Sequence, residues 1–131
     1  MKKILILLLL MVSTNVFAEW TLVSKSEDDI MTDYLDFKTI RRKGNKVNIW
    51  SLTDFKTVQT PIAGHEFLSA VQYLEYDCEN ETRRQLDAIT YSGNMRRGGE
   101  IDSIRNAKVE AISIQPESGD HFIMNIICGK K

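Results

Sequence analysis

The chain has 131 residues, with 17 Lys and Arg against 18 Asp and Glu, for a formal net charge of −1. That balance lacks the strong basic footprint of a general nucleic-acid binder, and the length suits one domain rather than two.

The first 18 residues read as a secretory signal. Lys2 and Lys3 form a short positive region, Ile4 to Val12 an apolar core, and Val16-Phe17-Ala18 a small-residue cleavage site that leaves Glu19 as the new N-terminus. The apolar run falls short of the roughly 20 residues that span a bilayer, so an uncleaved anchor is the lesser reading. No later segment reads as a membrane span, and no cysteine stands near the cleavage site to take a lipid. The expectation is a single mature domain over 19–131, in the periplasm or secreted, possessing 15 basic and 18 acidic residues once Lys2 and Lys3 are gone.

Trp20 to Ser24 is short and β-prone, a first strand. Lys25 to Asp29 is a charged corner. Met31 to Phe37 resumes an apolar run that Asp36 interrupts. Arg41-Arg42-Lys43-Gly44-Asn45-Lys46 is a turn, since Gly44 and Asn45 accept positive φ at low cost. Val47 to Asp54 alternates through a full strand, with Val47 and Ile49 on one side and Trp50 and Leu52 on the other. Apolar groups on both faces place it inside a sheet. Phe55 to Glu66, with Pro61 and Gly64, reads as a long mobile excursion.

Leu68 to Cys78 is the next strand, with Leu68, Ala70, Leu74, Tyr76 and Cys78 on one face. A polar corner at Glu79 to Thr82 leads into Arg83 to Tyr91, closing a hairpin. Gly93, Gly98 and Gly99 break the chain around Met95-Arg96-Arg97. Glu100 to Ile104 is one more short strand, and Lys108 to Ile114 is extended. Pro116 suits the first turn of a helix, Glu117 favours its positive end, and Phe122, Ile123, Ile126 and Ile127 recur at helical spacing until Gly129 stops it. Strands followed by one helix define an α+β domain, here an antiparallel sheet of about five to six strands with one C-terminal helix.

Cys78 and Cys128 are the only cysteines. In an exported chain a disulfide is favoured over two reactive thiols, and neither has a His or Cys neighbour for a metal. Such a bond would tether the last helix to the middle of the sheet. His65, beside Glu66, and His121 do not make a metal or proton-relay site with the ligand spacings of known motifs. No serine lies in a G-x-S-x-G elbow, and no glycine pattern cradles phosphate. The sequence therefore predicts no catalytic residue, no metal and no cofactor, and a protein that is not an enzyme. Asn80-Glu81-Thr82 fits a glycosylation sequon, to which the bacterial look of the signal gives little weight. Two basic clusters remain as a candidate patch for anionic partners: Arg41, Arg42, Lys43 and Lys46 at one hairpin, and Arg96 and Arg97 on a Gly-rich loop. Each alone also reads as a solvated turn. A concave sheet face near Trp50 and Tyr73 is the alternative, as a small-ligand site.

Several short stretches occur in an order that resembles one family. These are Tyr34-x-Asp36-x-x-Thr39-Ile40, Lys43-Gly44-Asn45-x-Val47-x-Ile49-Trp50, Tyr76-x-Cys78, Tyr91-Ser92-Gly93, Pro116-x-Ser118 and the terminal Cys128. Together they resemble the surface-adhesin protein E family of Gram-negative bacteria, over nearly the whole mature chain. The resemblance implies an antiparallel sheet with a disulfide-pinned C-terminal helix, adhesion to a host extracellular-matrix protein, and a homodimer. The family's namesake is lipid-anchored, and this chain shows no cysteine for such an anchor.

Overall fold

The computed structural model describes residues 19–61 and 64–129. Six strands pair antiparallel in chain order: β1 (Thr21–Lys25), β2 (Met31–Lys43), β3 (Lys46–Gln59), β4 (Phe67–Asp77), β5 (Thr82–Tyr91) and β6 (Glu100–Ile104). A two-residue β7 (Ile112–Ser113) pairs with the start of β5, and α1 (Gly119–Cys128) ends the domain. The α+β architecture expected from the sequence is present. Short hairpins dictate this order, because antiparallel neighbours need only tight turns. The β2–β3 turn is two residues long, and Gly44 supplies the positive φ of 61° that such a loop needs.

Side-chain parity then splits the core in two. Val47 and Ile49 point to one face, where Leu35, Leu74, Tyr76 and Ile114 join Ile123, Met124 and Ile127 of α1. Leu52 points to the other face with Val71, Ile89 and Tyr91, and Trp20 and Trp50 pack at its margin. The disulfide between Cys78 and Cys128, 50 residues apart in sequence, pins the end of α1 to the end of β4. Arg42 adds a second tie, its Nη2 donating to the Ile127 carbonyl at 2.8 Å.

Four expectations need correction. β2 does not stop at Phe37 but runs on to Lys43 through a wide bulge, where pairing jumps from Asp36↔Trp50 to Arg41↔Asn48. Local hydrogen bonds hold the extra residues: Lys38 N–H donates to Asp36 Oδ1, and the Thr39 hydroxyl donates to the Asp36 carbonyl while accepting from Trp50 N–H. The excursion expected over 55–66 is shorter, because β3 continues to Gln59. Phe55 pairs with Met31 and Gln59 with Phe67, so partners on both sides override a weak local pattern. Part of the remaining connection, residues 62 and 63, lies outside the described residues. Of 108–114, only Ile112 and Ser113 join the sheet.

The helix begins later than Pro116 and Glu117 suggest. Ser118 is the N-cap, its hydroxyl accepting from His121 N–H at 3.1 Å, and Asp120 rather than Glu117 is the acid in the first turn. Glu117 has a φ of 65°, outside the right-handed α-helical region. Gly129 closes the helix in the left-handed conformation as expected. Its buried face is Ile123, Met124 and Ile127, whereas Phe122 and Ile126 point outward.

Candidate functional site

The face of the sheet opposite α1 curves into a trough of about 340 Å³. Val71 and Ile89 form an apolar floor from β4 and β5. The β2 bulge and the segment before β1 raise one wall, carrying Asp36, Thr39 and Trp20 beside Trp50 of β3. Trp50 is held in place by Tyr73, the ring centroids lying 5.0 Å apart. Tyr91, Arg96, Glu100 and Arg105 raise the opposite wall.

Each wall has a distinct electrostatic character. Asp36 is 5% exposed, and among the described residues its one side-chain hydrogen bond is from Lys38 N–H at 3.1 Å. Among the described residues it makes no ion pair, an unusual state for a buried carboxylate. On the far wall, Arg96 Nε donates to the Tyr91 hydroxyl at 3.1 Å, with the guanidinium 5.7 Å from that ring's centre. The loop presenting it is a single 3-10 turn at Asn94–Arg96, in which Met95 and Arg96 both take positive φ. Met95 N–H donates to Asp54 Oδ1 and Arg96 N–H to Ser69 Oγ, so β3 and β4 hold this strained backbone. Arg105 Nη2 stands 3.9 Å from Glu100 Oε1. The trough thus has an acidic, tryptophan-lined end and a guanidinium end.

A second cavity of about 620 Å³ opens on the helix side. It exists because ten helical residues cover about 15 Å, while eleven to fourteen strand residues run about 36–46 Å. Phe55, Phe67, Thr53 and Ala70 are therefore left beyond the start of α1. At its inner end, Asp33 accepts from the Thr53 hydroxyl at 2.7 Å, and burial raises its carboxyl above the usual range despite that bond. Burial, with the Asp120 charge second, pushes the Tyr76 phenol upward there. Arg83 Nε lies 3.3 Å from Asp120. Arg83 and Asp120 thus pair within this cavity, whereas Asp36 in the trough makes no ion pair among the described residues.

The sequence-predicted patch is not one surface. Arg41, Arg42, Lys43 and Lys46 lie at the β2–β3 turn, and Arg96 and Arg97 at the other end of the sheet, as the pairs Lys46↔Asp77 and Ser69↔Tyr91 require. Arg42 is engaged by α1, Arg41 folds onto the Ile40 carbonyl, and Lys46 is 3.9 Å from Glu75. Lys43 and Arg97 are exposed. Only Arg96 reaches the trough. His65 and His121 lie apart, facing Asp102 at 3.5 Å and Glu81 at 3.6 Å. Among the described residues no three His, Cys, Asp or Glu side chains converge on a metal position. No described helix is long and apolar enough to cross a membrane.

The fold and the trough together define a small antiparallel-sheet domain with a disulfide-stapled helix and a polar-walled concave face. The chain belongs to the surface-adhesin protein E family, whose sequence pattern matches residues 20–129. Its fold is that of protein E of Haemophilus influenzae. One structure of that protein is 19% identical over 88% of each chain with a TM-score of 0.62. A second crystal form is 17% identical, covering 82% of this chain and 87% of the other at the same TM-score. No curated protein sequence matches the chain.

Proposed function

We propose that this protein is an exported, non-enzymatic binding module of the bacterial envelope that contacts a host extracellular-matrix protein. Family membership supports adhesion, and the signal-like residues 1–18, which lie outside the described residues, support export of a domain beginning at Glu19. The observation that carries the reading is the trough, which concentrates two tryptophans, a tyrosine, two arginines and an unpaired buried carboxylate on one face. Aromatic and arginine side chains are the groups that dominate protein interfaces. The exposed Lys43 and Arg97 at the two rims supply electrostatic steering for an acidic partner. The outward-facing Phe122 and Ile126 of α1 support self-association into a homodimer.

A second reading is a soluble periplasmic small-ligand carrier. The trough's volume favours it, since about 300 Å³ is where ligand pockets begin. Labelling of intact cells separates the two. Accessibility without permeabilising the outer membrane, together with saturable binding to an immobilised matrix protein, is the expected outcome. Labelling only after permeabilisation sinks the adhesin reading and leaves the carrier.

A further inference from the structure

We propose that the trough binds a zwitterionic headgroup with a quaternary ammonium at one end and a phosphate at the other, the chemistry of phosphocholine. The proposal rests on the trough being the binding face, and it names the ligand class. Its starting point is Asp36, a carboxylate 5% exposed that makes no ion pair among the described residues. Beside it stand Trp50 and Trp20. A methylated ammonium is held by the electron-rich faces of tryptophan and tyrosine, and it needs no hydrogen-bond acceptors. A carboxylate with aromatic neighbours is therefore a better host for a quaternary ammonium than for a hydrated metal ion or a primary amine.

The opposite wall answers with the opposite sign. Arg96 and Arg105 both line the trough, and guanidinium groups fit phosphate oxygens in pairs. Glu100 neutralises part of Arg105 at 3.9 Å, so the four charged side chains, Asp36 and Glu100 against Arg96 and Arg105, sum to zero. A neutral site with its charges separated along one axis disfavours both simple anions and simple cations. It favours a molecule that carries both charges. The trough's volume of about 340 Å³ accommodates a headgroup of this size.

Free phosphocholine, titrated into the mature protein and followed by tryptophan fluorescence and by calorimetry, should bind saturably with a Kd near millimolar, as expected for a ligand of about ten heavy atoms. Choline alone and inorganic phosphate alone should each bind at least about tenfold more weakly. Asp36→Asn keeps the Oδ1 acceptor for Lys38 N–H but removes the charge, and should weaken phosphocholine and choline alike by about tenfold or more. Arg105→Gln, an exposed position, should weaken phosphocholine while leaving choline unchanged. Unfolding curves of both variants establish that the fold is retained. Absence of saturable binding overturns the proposal, as does equal binding of a neutral hexose or insensitivity to both substitutions. Sedimentation with phosphatidylcholine vesicles then separates the sources. Co-sedimentation supports a lipid headgroup, and headgroup binding without it supports a soluble or glycan-borne one. If matrix-protein binding is lost in the trough variants while phosphocholine never binds, only this inference falls. If phosphocholine binds and no matrix protein does, the host-protein reading falls instead.

Discussion

Arg42 shows how a single side chain can leave a surface patch and become structural. The sequence places it in a run of four cations, yet its guanidinium donates to the Ile127 carbonyl, one of the acceptors that a helix end leaves unpaired. Replacing it with Ala should cost about 1–2 kcal/mol in urea unfolding, since a charged donor is lost. Arg41→Ala should stay within about 0.5 kcal/mol, as surface changes usually do. Asp33 gives a prediction of the opposite sign. Burial raises its carboxyl, so the folded protein binds this proton more tightly than the unfolded chain does. Stability drawn from this group is therefore lost as pH rises from the ordinary carboxylate range through the raised folded value, and stays lost above it. The charges facing it are Asp120, which adds to the rise, and Arg83, which opposes it. Asp33→Asn keeps an acceptor for Thr53 and should raise Tm at pH 7, with the advantage vanishing near pH 3. A melting series across that range reads the outcome, and an advantage that grew toward acid would refute the assignment.

At the scale of elements, the strands were legible where alternation was strong. Val47 and Ile49 against Trp50 and Leu52 foretold the two faces of β3, and the breakers around Gly44 and Gly93 foretold the turns. Legibility failed where long-range partners decide. Phe55 to Gln59 is a strand because β2 and β4 pair with it, which its own residues do not announce. The helix start was misplaced because a proline signal two residues upstream competed with the Ser118 cap. The concave face near Trp50 and Tyr73 was expected, but its full lining was not legible: Trp20, Asp36 and Arg105 meet only once the strands are paired. Asp36 breaking an apolar run was the one local clue. The staple between β4 and α1 was readable from two cysteines and a signal-like N-terminal sequence, and it carries a prediction. A ten-residue helix is marginal alone, and in the chain-entropy description closing a loop of this size contributes about 4 kcal/mol. Converting Cys78 and Cys128 together to Ser should lower stability by up to that amount. Hydrogen exchange should show protection over Gly119–Cys128 falling well before that of β3 and β4; a uniform loss would mean that packing, not the bond, holds the helix.

For the whole molecule, the decisive fact is that the two basic rims lie at opposite ends of the sheet. Ser69, beside the Arg96 loop, and Asp77, beside Lys46, are eight residues apart along β4, about 26 Å in an extended strand. The Debye length at physiological salt is about 8 Å, so neither rim feels the other through solvent. A partner large enough to span the sheet would be steered by both, and a small one by a single rim. Lys43→Ala and Arg97→Ala should therefore each reduce the association rate with a spanning acidic partner, and their effects in the double variant should add within about 0.5 kcal/mol. Raising the salt should erase both losses together, because steering of exposed charges is screened. Surface plasmon resonance on immobilised matrix protein at two ionic strengths measures all three variants. Strong coupling between Lys43 and Arg97 would show that the rims act as one patch, which a rigid sheet of this length does not permit.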